Sequence, residues 1–264
     1  VGLGGVTIHY YALCILLAIA VAIWIGKVRY VRAGGIGSEI YDLAIYVVPA
    51  GIIGGRFYHV ITTPELYFGR RGNILAAFKI WQGGMGIWGA IALGVLVGYL
   101  YFKAKPRSQS YLVALDALAP GIVLAQGIGR WGNWFNAELF GKPTTLPWGL
   151  EIPMGNRPIG FENFSTFHPT FLYESLWCLL IALFILYLPW VRALKDGNQF
   201  LLYVFLYCIG RLWVESIRID EAHHIFGLRL NMWVASICVI TSGGWLYATQ
   251  KREASGPAES EIPR

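Results

Sequence analysis

The sequence predicts an all-α integral membrane protein of seven transmembrane helices with a small extracytoplasmic cap. Of its 264 residues, 56% are hydrophobic and only 14% are charged, where an average soluble domain carries roughly 25% charged residues. Apolar runs close to the ~20 residues that a helix needs to cross the hydrocarbon core recur seven times. Basic residues collect at the ends of these runs.

The first run, 8–26, has neither a basic leader nor a small-residue cleavage site, so it is expected to remain as a span. The second, 40–61, contains Asp42 and Pro49, and the fourth, 112–128, contains Asp116 and Pro120. Such breakers are tolerated where neighbouring helices or cavities satisfy the freed backbone groups. The third run covers 83–102, the fifth 171–188, the sixth 200–217 and the seventh 231–249. Between the fourth and fifth, 135–167 is polar and carries Pro143, Pro147, Pro153 and Pro158, too broken for a long helix. This stretch is the expected cap. Segment 62–82 mixes aromatic and basic residues and suits a helix lying along the interface. The spans and cap make one domain, 1–250. The Ala, Ser, Pro and Glu of 251–264 read as a disordered cytoplasmic tail.

Orientation follows from the short loops. Lys27, Arg29, Arg32, Lys103, Lys105, Arg107, Arg192, Lys195, Lys251 and Arg252 fall on one side, tight against span ends. Arg70, Arg71, Lys79, Lys142, Arg157, Arg218 and Arg229 fall on the other, with Arg130 as an eighth if its span ends before it. The bias puts the amino terminus outside and the carboxyl terminus in the cytoplasm. Trp81, Trp88, Trp131, Trp134, Trp148 and Trp233 lie near the outer boundary, where indole rings settle at headgroup level. The net charge of +6 belongs to juxtamembrane loops facing anionic lipid and calls for no nucleic acid. Cys14, Cys178, Cys208 and Cys238 all lie in apolar runs without CxxC spacing and read as reduced core residues. No metal or cofactor is expected.

Chemistry is carried by charge held next to hydrocarbon. The run GIGRWGNWFNAELFG places Arg130, Asn133, Asn136 and Glu138 directly after the fourth apolar run. Polar groups there must face one another, a water-filled cavity or a charged ligand. Arg56 lies late in the second span and Arg211 and Glu215 late in the sixth, so three guanidiniums fall toward the outer half of the membrane. Guanidinium forks bind phosphate or carboxylate oxygens bidentately and keep their proton, which suits a phospholipid headgroup. Internal pairing is the alternative: Arg211 and Glu215 are four apart on one helical face, and Arg130 could pair with Glu138. The glycine runs before Arg56, around Met85 and around Arg130 would either permit close helix packing or let a headgroup approach the backbone. A transporter or channel for an anionic or lipid solute would instead show basic residues at several depths or an internal repeat, and neither stands out.

GRWGNWFNAELFG resembles the signature of the bacterial prolipoprotein diacylglyceryl transferases. HYYALCILLAI, GGRFYHV, WQGGMGIWG, HPTFLYES and GRLWVESIR follow the family's order, so the resemblance extends to about Ala248. It implies transfer of the diacylglyceryl group of phosphatidylglycerol to the lipobox cysteine in the signal peptide of a prolipoprotein, forming a thioether and releasing glycerol phosphate. It also implies a bacterial plasma membrane protein with its active site toward the outer face. Arg130 and Arg211 match the family's essential arginines. Asn133 matches a hydrogen-bonding signature position and Gly141 a turn, while Asn136 belongs to the same signature run. Tyr11, Arg56, Glu138, Tyr207 and Glu215 match positions that would bind the headgroup or orient the arginines. The chain departs from the family pattern at Trp88, where many members carry a histidine that is a candidate base for the thiol. Indole cannot take a proton, so either another base acts or the arginine field lowers the thiol pKa. Of His9, His59 and His168, the last takes first place as the catalytic base, with a structural role at a helix start as its alternative; His223 and His224 are expected to be solvated.

Overall fold

In the computed structural model, the residues described are 2–3, 6–7, 10–68, 72–80, 83–105, 109–220 and 224–254. His9, Arg70, Arg71, Trp81, Arg107, His223 and the end of the tail lie outside them. The chain is all-helical apart from short two-residue ribbons. Among the described residues, six helices are long and apolar enough to cross a membrane: α1 (Tyr10–Arg32), α2 (Gly37–Thr62), α4 (Tyr111–Phe135), α5 (Thr170–Tyr187), α7 (Asn198–Ile217) and α8 (Leu230–Ala254). The third apolar run forms α3 (Ile87–Lys103), shorter at 17 residues. A single turn, α6 (Pro189–Arg192), follows α5. Helices outrun the apolar stretches because flanking polar residues keep the backbone paired. α1 continues through Lys27 and Arg29 to Arg32, which complement its carboxyl-terminal dipole. α4 continues past Arg130 to Phe135, so the signature run begins on a helix.

The chain divides into two compact units, Val1–Gly26 with Leu115–Arg264, and Lys27–Ala114. In the second, α2 and α3 cross antiparallel at bare backbone. A Cβ on Gly54 would lie 2.3 Å from the Gly89 carbonyl oxygen, and one on Gly89 would lie 2.2 Å from that of Gly54. Small residues at such a crossing replace the hydrophobic drive that lipid removes. Polar residues in this unit are partnered: Asp42 accepts from Tyr101 Oη at 3.3 Å and from Lys105 Nζ at 3.2 Å, and Glu39 accepts from Tyr30 Oη at 2.9 Å. The described residues of segment 62–82 form two 3-10 turns, Pro64–Leu66 and Ile74–Phe78, in place of the expected helix lying along the interface. Pro64 opens the first turn, and Asn73 caps the second by accepting the Leu75 N–H at 3.0 Å.

In the first unit, α1 and α4 pack antiparallel, with Gly121 against the Ala22 backbone and Gly132 against the Tyr11 ring. Val123, Cys178, Ile181, Ile185 and Tyr203 make its apolar core between α4, α5 and α7. Asp116, the other charge inside an apolar run, accepts the backbone N–H groups of Gly197 at 2.7 Å and Phe200 at 2.8 Å. It thereby satisfies amides that the first turn of α7 leaves without intrahelical partners. Past α4 the backbone folds into a ribbon. β3 (Leu150–Glu151) pairs antiparallel with β4 (Thr166–Phe167), and Pro143 bridges to Phe167. The Lys142 N–H reaches the Ile217 carbonyl at 2.9 Å and Gly141 bridges to Arg218, which ties the ribbon to the end of α7. Phe140, Ile152 and Phe167 are buried beneath it. After α7, β5 (His224–Ile225) pairs with β6 (Leu228–Arg229) through Phe226 and Gly227, both at positive φ, the signature of a type I′ turn. That hairpin delivers Arg229 to the start of α8.

The Gly54–Gly89 crossing makes a specific demand. Gly54→Ala is expected to lower stability by about 1–3 kcal/mol through overpacking, read by thermal unfolding in detergent. Gly244→Ala, where an added Cβ meets nothing within 4 Å, should cause no loss.

Candidate active site

Arg130 and Asn133 are three apart on α4 and share a face. Trp131, Trp134 and Phe135 turn elsewhere and pack with Phe171 and Tyr10, the Tyr10 and Phe135 rings stacking at 4.7 Å. Arg130 Nε pairs with Glu174 Oε2 on α5. The other oxygen of Glu174, Oε1, takes Arg211 Nη1 from α7 at 3.0 Å, so one buried carboxylate joins both essential-type arginines. Arg211 Nη2 continues to Glu215 Oε2 at 2.6 Å, one helical turn along. Glu215, 1% exposed, takes Arg229 Nε on Oε1 at 3.0 Å, and Arg218 Nη1 approaches its Oε2 at 3.9 Å. Asp220 receives Arg218 through two nitrogens at 2.7 and 2.8 Å and Arg229 at 2.8 Å. The outcome is a row of alternating charge: Arg130, Glu174, Arg211, Glu215, Arg229, Asp220, Arg218.

Neutral groups complete it. Arg130 Nη2 donates to Tyr207 Oη at 3.4 Å, and Asn231 Nδ2 donates to Glu215 Oε1 at 3.3 Å. Beside the row lies a crevice of about 10 Å³, room for a single water, lined by Glu174, Cys178, Tyr207, Gly210 and Arg211 among others. Gly210 leaves room for the Trp177 indole, whose Nε1 would lie 2.1 Å from an added Cβ and which donates to the Leu206 carbonyl at 2.9 Å. Asp220 lies past the end of α7. Burial alone would raise its pKa, but the Arg218 hydrogen bonds and charge, with Arg229 beyond, hold its carboxyl below the ordinary aspartate range.

The remaining predicted residues separate into groups. Arg211 pairs with Glu215 as the i,i+4 spacing allows. Arg130 takes Glu174 and not Glu138, since Glu138 Oε1 accepts from Asn133 Nδ2 at 2.9 Å and Asn136 Nδ2 at 3.1 Å. This small amide and carboxylate cluster holds the turn after α4, where Ala137 and Leu139 adopt positive φ. Gly141 lies beyond that turn in the bridge to Arg218. A Cβ there would meet Ile217, His168 and Thr170 at 2.8–3.1 Å, so close packing is what requires glycine. Tyr11 lies against Gly132. His168 Nδ1 lies 3.0 Å from Tyr173 Oη, which also accepts from Trp148 Nε1 at 3.0 Å.

Arg56 and Trp88 belong to the other unit. Arg56 is buried and donates to four carbonyls: Nε to Ala77 at 2.8 Å, Nη1 to Gly83 at 2.6 Å and Gly84 at 2.8 Å, and Nη2 to Ala76. It therefore clamps the loop that leads into α3, whose first turn carries Trp88. His59, also in this unit, lies within hydrogen-bond distance of Tyr67 Oη and Thr63 Oγ1. The four cysteines are free.

Sequence reasoning missed Glu174, Asp220, Arg229 and Asn231. Glu174 carried the signal that exposed Arg130, a lone charge in an apolar run. Asp220, Arg229 and Asn231 lie between the end of α7 and the first turn of α8, where a polar residue is ordinarily solvated.

Residues 1–249 match the prolipoprotein diacylglyceryl transferase family. The chain belongs to that family. A phosphatidylglycerol--prolipoprotein diacylglyceryl transferase of Streptomyces griseus is 49% identical over 250 residues, which cover 94% of this chain and 75% of the relative. One from Cutibacterium acnes is 49% identical over 261 residues, 99% of this chain and 88% of the relative. The protein is thus a transferase built from membrane helices, and Arg130, Glu174, Arg211, Glu215 and Arg218 of the charged row lie in the segments that carry the family resemblance, with Asp220 and Arg229 outside them. Relatives named as transferases, with charge gathered into one row, leave no support for a transporter.

The charge pattern at Asp220 sets a pH dependence. Because its folded pKa is depressed, the stability it contributes is fully present above the unfolded value of about 4 and is lost as acidification passes through the lower folded value. Thermal unfolding of the purified protein followed from neutral pH downward should show Asp220→Asn less stable at neutral pH. The gap to the native chain should close in acid.

Proposed function

We propose that this chain moves the diacylglyceryl group of phosphatidylglycerol onto the lipobox cysteine thiol of prolipoproteins, the first step of bacterial lipoprotein maturation. The observation that carries the proposal is the sharing of Glu174 by Arg130 and Arg211, inside a family whose named members catalyse this transfer. In this reading α3 is the seventh span, the amino terminus lies outside and the carboxyl terminus in the cytoplasm. The ribbon of residues 135–167 is the extracytoplasmic cap, and the site faces the outer side of the plasma membrane.

The reaction forms a carbon–sulfur bond at the glycerol carbon that carries the phosphate ester and breaks that carbon's bond to oxygen. The bonding electrons leave with the phosphate, giving glycerol phosphate. Charge grows on the departing phosphate, where preorganised donors are most effective. Arg130 and Arg211 supply them, held in place by Glu174 and, for Arg211, by Glu215. Glu174 between them offsets the repulsion of the two guanidiniums and leaves each with N–H groups for the headgroup. Tyr207, Asn133, Asn136, Glu138, Gly141 and Tyr11 bind or enclose the lipid and the signal peptide. The nucleophile is a thiolate. His168 takes the thiol proton: when its Nδ1 donates to Tyr173 Oη, Nε2 is left as an acceptor.

Purified protein supplied with phosphatidylglycerol and a lipobox peptide should yield the diacylglyceryl thioether by mass spectrometry. Arg130→Ala and Arg211→Ala should each reduce turnover by about 10²–10³-fold, as loss of a transition-state donor does, while the protein still elutes as a folded species. Product formation at the native rate in either would exclude the phosphate clamp. The base has its own test. His168→Gln should remove the acidic limb of the kcat profile, and an unchanged profile would transfer the proton to another group.

A further inference from the structure

Arg229 stands outside every segment used above to recognise the family, yet it is 7% exposed and bonded on all sides. Its Nε pairs with Glu215 Oε1, Nη1 donates to the Arg218 carbonyl at 3.0 Å, and Nη2 donates to both the Asp220 carbonyl at 2.9 Å and the Asp220 carboxylate at 2.8 Å. These contacts engage all three guanidinium nitrogens, so Arg229 is held within the row and not turned toward a substrate. Its charge remains effective nonetheless. The row contains four guanidiniums and three carboxylates, a surplus of one positive charge in surroundings that screen little. A phosphodiester headgroup carries one negative charge.

We propose that Arg229 is a positioning residue for lipid binding, acting through Glu215 and Arg211. By holding Glu215 Oε1 alongside Asn231 Nδ2, Arg229 restricts that carboxylate to a single contact with Arg211, so Arg211 keeps donors for the phosphate. By its own charge, it gives the row the unit surplus that balances a phosphodiester. Without Arg229, Oε1 of Glu215 turns to the Arg211 fork, and the row becomes three cations against three anions. The anionic lipid then loses both a donor geometry and a counter-charge, whereas the peptide substrate, recognised by other groups, loses neither.

The inference rests on the lipid transfer proposed above, and the experiment separates the two. KM for phosphatidylglycerol is measured in mixed micelles at saturating lipobox peptide, and KM for the peptide at saturating lipid, with the full-length chain. Absence of turnover by the native chain would overturn the proposed function itself. Given native turnover, Arg229→Gln should raise the lipid KM by about ten-fold and lower kcat with it, since Arg211 also serves the departing phosphate, while the peptide KM stays within about two-fold, a split between the two substrates that general loosening of the fold does not produce. Arg229→Lys keeps the charge and should restore the lipid KM to within about two-fold of native. Asp220→Asn breaks the same Arg229–Asp220 pair but adds to the surplus, so its lipid KM should be at or below native. A native lipid KM in folded Arg229→Gln would overturn the inference. So would a rise in Asp220→Asn equal to that in Arg229→Gln, because both would then reflect a broken structural pair. If Arg229→Gln does not fold, the other two variants decide: a ten-fold rise in either overturns the inference, and a native-like KM in both upholds it.

Discussion

One buried carboxylate organises this protein. Glu174 lies on α5, and its two oxygens are taken by arginines from α4 and α7. Three helices are therefore tied at one point, where each unpaired charge would be costly. Removal of a buried partner from such a pair costs about 3–5 kcal/mol, chiefly because the other charge is left without compensation. The packing nearby conforms to this tie. Gly210 gives way to Trp177, the apolar core of α4, α5 and α7 lies alongside, and Asp116 secures the other end of α7 by accepting its first amides.

From that point the row extends to the loops after α7. Glu215 is held by Arg211, Arg229 and Asn231, and Asp220 closes the sequence by joining Arg229 to Arg218. The ribbon after α4 is stitched to the same place through Gly141 and Lys142. Fixed charges arranged in this way need little reorganisation when an anion arrives, which is the condition for strong electrostatic stabilisation of a leaving phosphate. Arrangement of the acids matters as much as that of the bases. Carboxylates keep four mutually repelling guanidiniums together while leaving the group net positive.

The second unit is organised differently. Its helices meet through backbone at Gly54 and Gly89, and its buried arginine, Arg56, is committed to loop carbonyls. Arg56 and Arg130 look alike in sequence, each a lone arginine beside glycines at the end of an apolar run. Their surroundings differ in kind. Arg130 is paired with a carboxylate shared by another arginine, whereas Arg56 holds the loop before α3.

The sequence by itself determined the class, the placement of the apolar helices and the presence of lone arginines beside them. Hydrocarbon admits few alternatives, so an apolar run of span length must form a helix, and a charge beside it must have a partner. The i,i+4 pair of Arg211 and Glu215 was legible for the same local reason. Only the tertiary structure decided that Arg130 is held by Glu174 and not Glu138. It also decided that Asp116 caps a distant helix and that Arg229 joins the row from a hairpin. Those pairings join residues on different elements, and spacing along one helix carries no information about which face of another element will meet it. The turn at Ala137 and Leu139 was hidden likewise, because positive φ at residues other than glycine leaves no mark in composition and persists only where surrounding contacts enforce it.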